Sequence, residues 1–255
     1  MNDLSVTLTS DFVATVEIHR PPTNYFDPEL IESLATHFEE LDETSCRAIV
    51  LCSEGKHFCA GVDHTHRADL PMGGGGREAQ LAAAVIRLCS TRTPIVAAVQ
   101  GAAIGGGLGL ACIADFRVAS AETRFAANFS RLGLHPGFGL TVTLPRIVGA
   151  QRANELLLLG ARIGGAEAQG IGLCDRLVAA SEVRAGAHAF ATELAEAAPL
   201  AVSRIRATLR GDFAEAVARA LEQEGKEQSD LRLTADWQEG VRAAAERRTP
   251  RFVGR

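Results

Sequence analysis

Three consecutive glycines, Gly105, Gly106 and Gly107, interrupt one of the most apolar stretches of the chain, "VQGAAIGGGLGLACIADFRVA" (residues 99–119). Glycine weakens the interior of a helix or strand, because it loses more backbone freedom on folding and has no side chain to pack. A buried segment that accepts this needs the bare backbone for something. The run reads as a strand that ends at Gly101 and a helix that starts within the triple glycine. N–H groups left unpaired at a helix N-terminus, with no side chain in front of them, favour negative charge. A matching feature is "GKHFCAGVDH" (residues 55–64), directly after the strand-like "AIVLCS". Gly61 has access to backbone conformations closed to other residues, and so can turn the N–H of Val62 toward a cavity. Two such N–H groups aimed at one carbonyl oxygen stabilise an enolate or a tetrahedral oxyanion, and losing one typically costs about 10²–10³ in rate. The alternative is plainer: glycines that let elements approach closely.

Other uses of glycine-rich turns do not fit. The segment is G-x-x-x-G-G-G, without the G-x-G-x-x-G and following acidic residue of a dinucleotide site. The chain has neither G-x-x-x-x-G-K-S/T nor a G-x-S-x-G elbow. A net charge of -5 argues against a general nucleic-acid binder, since a phosphate backbone requires a basic face. The six cysteines, at 46, 52, 59, 89, 112 and 174, stand singly with no C-x-x-C, and read as reduced, buried thiols of a cytoplasmic protein. No long uncharged apolar run suggests a membrane span, and the first residues do not read as a signal peptide.

The 255 residues, 47% hydrophobic, are enough for a sizeable core. Strand-like runs at 12–19, 47–53, 94–101 and 174–178 alternate with helical patterns at 28–41, 77–90 and from about Gly105 onward. That alternation predicts an α/β protein with helical crossovers. From Ser181 to Arg248 the chain reads as nearly continuous helix, broken near Pro199 and Gly211, a packing element suited to a subunit interface. The glycine patch "PMGGGGRE" (residues 71–78) reads as a mobile loop.

Four blocks in order, "HRPPTNYF" (19–26), "GKHFCAGVD" (55–63), "PIVAAVQGAAIGGGLGLACIADFRVAS" (94–120) and "RLGLHPGFGLTVTLPRIVG" (131–149), resemble the enoyl-CoA hydratase/isomerase (crotonase) superfamily. The ending "EGVRAAAERRTPRFVGR" is similar to that family's C-terminus. The resemblance implies a crotonase-like ββα spiral over residues 1–195 and a C-terminal helical trimerisation region over 196–255, giving a homotrimer or homohexamer. It implies an oxyanion hole made by the N–H groups of Val62 and Gly106, gripping the thioester carbonyl of an acyl-CoA. Coenzyme A enters as part of the substrate, and no separate cofactor or metal is implied. By the same resemblance Lys56, Phe58, Ala60, Asp63, Gly105, Asn128 and Phe129 fall around the substrate. Lys56, Arg247, Arg248 and Arg251 are candidates to meet CoA phosphates, with a solvated basic surface as the alternative.

The pattern breaks at the acids. Hydratases of this family manage water and proton with two glutamates. The first follows the triple glycine by two positions, where this chain has Gly109. The second lies four residues before the glycine leading into the P-G turn, where it has Phe129. A general acid or base contributes typically about 10²–10⁴. Glycine and phenylalanine there imply a pocket larger on one side and drier on the other. Substitute acid–base candidates are His64, in "VDHTHR", and His135, in "LGLHPG", with an exposed loop histidine and a packed turn histidine as the respective alternatives. His64 and His66 form an H-x-H pair without further ligands, so a metal site is not expected. Asn128 and Arg131 flank Phe129 and offer hydrogen bonds to a polar acyl group, with an outward-pointing Arg131 as the alternative on helical spacing. These features predict an enzyme of the lyase or isomerase class acting on a CoA thioester through an enolate or oxyanion. The alternatives are a catalytically weak or inactive acyl-CoA-binding protein, an acyl-CoA decarboxylase or hydrolase, or a partner subunit of an active relative.

Overall fold

The β-branched and small apolar runs around Val50 and Val96 become strands buried on both faces, as a parallel sheet covered by helices demands. The structure is a computed structural model describing residues 3–63 and 75–255. In chain order it forms β1 (Leu4–Leu8), β2 (Val13–Ile18), α1 (Pro28–Asp42), β3 (Ala48–Ser53), α2 (Gly75–Ser90) and β4 (Ile95–Val99). Then come β5 (Ala102–Ile104), α3 (Gly106–Ile113), β6 (Phe116–Ala119), β7 (Arg124–Ala126), α4 (Leu140–Val148) and α5 (Ala150–Leu159). After β8 (Arg162–Gly164), α6 (Gly165–Gly170) and β9 (Arg176–Leu177), the chain ends in α7 (Val183–Glu196), α8 (Pro199–Arg210), α9 (Phe213–Leu231) and α10 (Ala235–Ala245).

The larger sheet runs β1-β2-β3-β4-β6-β9, with β1 antiparallel to β2 and the other neighbours parallel. A small second sheet, β5-β7-β8, carries the chain from the end of β4 toward α3. Strand alternation divides the core in two. Ile49, Leu51, Ile95 and Ala97 face α1 and α2 in the main cluster, and Ala48, Val50, Val96 and Ala98 face the opposite side. There α7 lays down Val183, Ala187, Ala191 and Ala195, a stripe at four-residue spacing that is small enough for close approach. Asp27 starts α1, its carboxylate accepting the Leu30 N–H at 2.9 Å just before Pro28.

The strands expected at 12–19, 47–53 and 94–101 form within those limits, and the one at 174–178 is shorter. β1, β6 and the three short strands of the second sheet were not legible, nor were α4 to α6. The expected glycine loop at 71–78 is corrected in part: Gly75 onward belongs to α2, and the remainder lies outside the described residues. Breaks at Pro199 and Gly211 separate α7, α8 and α9 as expected, and a further break separates α9 from α10. No helix among the described residues is long and apolar enough to cross a membrane.

Candidate active site

The two glycine turns meet because residue 59 joins the second sheet. Cys59 donates its N–H to the Ala102 carbonyl at 3.1 Å and accepts the Ile104 N–H at 3.0 Å, so the 59–62 turn runs beside the start of α3. The Cys59 thiol is pushed up to about 12 by burial, so it stays neutral, and its sulfur accepts the Gly61 N–H at 3.4 Å. Gly61 has φ +85° and Gly105 φ +56°. A Cβ on Gly61 would lie 2.8 Å from the Ile104 carbonyl oxygen and 3.3 Å from the Gly106 nitrogen. Gly105 caps α3 with no side chain. Among the described residues neither the Val62 nor the Gly106 N–H donates to a backbone carbonyl, and both residues line one cavity. Close approach also explains part of the triple glycine: a Cβ on Gly107 would sit 2.1 Å from the Cys59 carbonyl oxygen.

The cavity, of about 130 Å³, has two kinds of wall. Near the glycines it is aromatic: Phe26 and Phe138 meet edge-on with centroids 5.0 Å apart, and Phe129 completes the wall. α2 and α9 supply another part of the wall, with Leu81, Leu221, Glu224, Gly225, Gln228 and Arg232 among the lining residues. Glu224 is 2% exposed and its carboxylate accepts the Gly139 N–H at 2.8 Å, the Thr141 N–H at 3.0 Å and the Thr141 hydroxyl at 2.6 Å. It thereby ties α9 to the first turn of α4, where a negative group is favoured.

Of the residues singled out in the sequence, Ala60, Val62, Gly105, Gly106, Asn128 and Phe129 line this cavity. Asn128 lies against the triple glycine, its Oδ1 3.3 Å from where a Cβ on Gly105 would be. Phe58 is instead fully buried core, its carbonyl accepting the Ser53 hydroxyl at 2.7 Å. Asp63 lies outside the lining but close enough to Tyr25 to act on it: burial chiefly, and then the Asp63 charge, raise the Tyr25 phenol. His135 also lies outside the lining: its Nδ1 is 2.9 Å from the Pro136 carbonyl and its own carbonyl accepts Gln228 Nε2 at 2.9 Å. His64 and His66 lie outside the described residues. Lys56 is exposed, and Arg248 is committed to Glu239 and Glu246, both at 2.5 Å.

The expected widening of the pocket at Gly109 is corrected by Phe138. A Cβ on Gly109 would be 2.6 Å from the Phe138 Cβ and 2.9 Å from its Cδ1, so the ring covers the position and leaves no space. Glu at 109 therefore has no room without displacing Phe138. Gly109→Glu is expected to cost about 1–3 kcal/mol through overpacking. At roughly 2–4 °C per kcal/mol for a chain of this size, thermal unfolding should fall by several degrees, with no gain in hydration of an enoyl-CoA.

With this geometry in place, the chain matches the enoyl-CoA hydratase/isomerase family over residues 9–255. It is 32% identical over 263 residues to a probable enoyl-CoA hydratase of Bacillus subtilis (strain 168), covering 100% of both chains. It is 34% identical over 218 residues to a probable enoyl-CoA hydratase of Rhodobacter capsulatus, covering 82% of both. The fold is similar to an enoyl-CoA hydratase/isomerase crystal structure from Pseudoalteromonas atlantica T6c, with TM-score 0.88, 31% identity and coverage of 99% of this chain and 100% of that one. The chain belongs to the enoyl-CoA hydratase/isomerase family and has the crotonase fold.

Proposed function

We propose that this protein binds an acyl-CoA thioester and polarises its carbonyl between the N–H groups of Val62 and Gly106. The observation that carries this reading is a single cavity lined by both residues, with neither N–H committed to a backbone carbonyl among the described residues. The start of α3 adds its positive end to the same spot. Such donors serve any reaction that passes through an enolate or oxyanion, and they need no metal or separate cofactor. We place the activity in the lyase or isomerase class on CoA thioesters. Acid–base work is not carried at 109, where Phe138 covers a glycine, or at 129, a phenylalanine. His64, two residues after the Val62 donor, is then the nearer histidine candidate in sequence, and His135 the second. The missing carboxyls also favour an alternative: decarboxylation or thioester hydrolysis, or acyl-CoA binding without efficient turnover.

A homotrimer or homohexamer assembled through the 196–255 region belongs to the same reading. Its support is the apolar surface of α8, where Leu200, Ile205 and Leu209 are 76%, 59% and 82% exposed. So large a share of a helix's leucine and isoleucine surface in water is the mark of an association face. A cytoplasmic location accords with six thiols free of disulfides.

Calorimetry with crotonyl-CoA, together with loss of its enone absorbance, tests the function. The expected result is saturable binding with hydration slower by about 10²–10⁴ than that of a hydratase bearing both glutamates. Absence of binding by any CoA thioester overturns the reading. Rapid hydration abolished by replacing His64 or His135 assigns the proton chemistry to that histidine. Carbon dioxide release from a malonyl-type thioester would favour the decarboxylase alternative.

A further inference from the structure

The face that α9 turns to the cavity is not the apolar stripe expected of a helix lying on a core. Leu221, Glu224, Gly225, Gln228 and Arg232 recur at three- and four-residue steps along one side, the last just beyond the helix end. All of them line the cavity, joined by Glu78 from α2. Three of these side chains form a chain of contacts across the wall. Gln228 Nε2 donates to the His135 carbonyl at 2.9 Å, Arg232 donates to Gln228 Oε1 at 2.9 Å, and Arg232 pairs with Glu78. Gly137 is what admits Gln228, since a Cβ there would fall 2.6 Å from its Nε2.

Counting what this wall has left decides what it can recognise. A guanidinium carries five N–H donors and no acceptor, and a glutamine amide carries two. Arg232 engages one donor on Glu78 and one on Gln228, and Gln228 engages one on the His135 carbonyl. Of the acceptors, Gln228 Oε1 serves Arg232, the Glu224 carboxylate serves Gly139 and Thr141, and the Glu78 carboxylate serves Arg232. Among the described residues four donors, three on Arg232 and one on Gln228, are left without a partner, and Glu78 keeps acceptor sites beside them. The Glu78–Arg232 pair cancels in charge, and the Glu224 carboxylate is already held by Gly139 and Thr141.

Gly225 points the same way. It lies inside α9, where glycine costs about 1 kcal/mol relative to alanine, and no heavy atom of the described residues lies within 4 Å of a Cβ placed on it. Packing does not demand this glycine. Its effect is to leave space in front of the wall. The cavity of about 130 Å³ approaches one that admits benzene, so it has room for a short acyl chain.

We propose that the α9 wall, through Gln228 and Arg232, reads a carbonyl oxygen at the far end of a short acyl chain, making the preferred ligand an oxo- or carboxy-acyl thioester in place of a plain fatty acyl one. The proposal rests on the acyl-CoA reading above and assigns its acyl class. Asn128 lies beside Gly105 in the same cavity.

The test compares 5-oxohexanoyl-CoA and glutaryl-CoA, in which three methylenes lead to a second carbonyl carbon, with hexanoyl-CoA, which has a methylene at that position, and with acetyl-CoA as reference. Calorimetry on the full-length protein should show at least one of the two oxygen-bearing ligands binding about tenfold more tightly than hexanoyl-CoA, the increment of a hydrogen bond to a charged donor. Which of them gains separates a ketone from a carboxylate. In Gln228→Leu and Arg232→Met, each checked for native circular dichroism, that preference should fall severalfold while acetyl-CoA affinity holds. Hexanoyl-CoA binding as tightly as both oxygen-bearing ligands overturns the proposal, as does an undiminished preference in both folded variants. Failure of acetyl-CoA and all the others to bind removes the acyl-CoA reading, and the proposal with it.

Discussion

Gly61→Ala is expected to lower turnover of the protein's CoA thioester substrate by about 10²–10³, the loss typical of one oxyanion donor. Two effects act together. At φ +85° a Cβ strains the backbone, and the new methyl would be held 2.8 Å from the Ile104 carbonyl oxygen and 3.3 Å from the Gly106 nitrogen. The turn must move away from α3, carrying the Val62 N–H with it. The Phe26 N–H, which donates to the Gly61 carbonyl at 2.9 Å, would be disturbed in the same motion. Steady-state kinetics, with the affinity of unacylated CoA as control, separates the causes. A local lesion at the carbonyl reduces turnover and leaves CoA affinity nearly intact, because CoA has no thioester oxygen. Wild-type kinetics in a folded Gly61→Ala protein would sink the assignment of this turn to the oxyanion site.

The largest stability loss is expected from Asp115→Ala, about 3–5 kcal/mol, the usual consequence of leaving buried charge unpaired. Asp115 precedes β6 and faces two arginines of α8. Its oxygens accept Arg206 Nε at 3.0 and 2.9 Å and Arg210 Nε at 3.1 Å, and one also accepts the Ile95 N–H at 2.8 Å. Arg206 is 9% exposed, and burial lowers its guanidinium below the ordinary arginine range despite the Asp115 charge. Both guanidiniums reach beyond Asp115 to carbonyls, Arg206 to Thr91 and Arg210 to Ile113 at 2.7 Å, so they cannot swing into water without breaking more bonds. At roughly 2–4 °C per kcal/mol, calorimetry should register a fall of about 10 °C. Arg206→Met should cost less, since Arg210 still answers Asp115 and the methionine fills the space. If the order is reversed, the carboxylate is not the keystone of this junction.

Both predictions concern positions whose residue types were visible in the sequence and whose partners were not. Gly61 and Gly106 stood out because glycine beside a buried strand has few other reasons to be there. Asp115 carried no signal, since its arginines lie 91 and 95 residues away on a helix whose sequence does not say what it packs against. The strands β3 and β4 were legible because continuous burial leaves an unbroken apolar run. β5, β7 and β8, at three residues each, are too short to show a period. α9 was legible as a helix but not as a cavity wall, because Glu224, Gln228 and Arg232 look like a solvated face until Gly139, Thr141, His135 and Glu78 are brought to them.

Local chemistry alone determined the α/β alternation, the helix starts at Pro28 and Pro199, the glycine turns before Val62 and Gly106, and the absence of carboxyls at positions 109 and 129. Those properties depend on neighbours within a few residues. Only the tertiary structure decided that Phe138 covers Gly109, that Phe58 belongs to the core, that His135 turns to Pro136, and that α9 closes the cavity with polar groups. Each of these is a contact between segments distant in the chain or a side-chain direction set by packing. No periodicity records such facts, because they exist only once the core has brought the segments together.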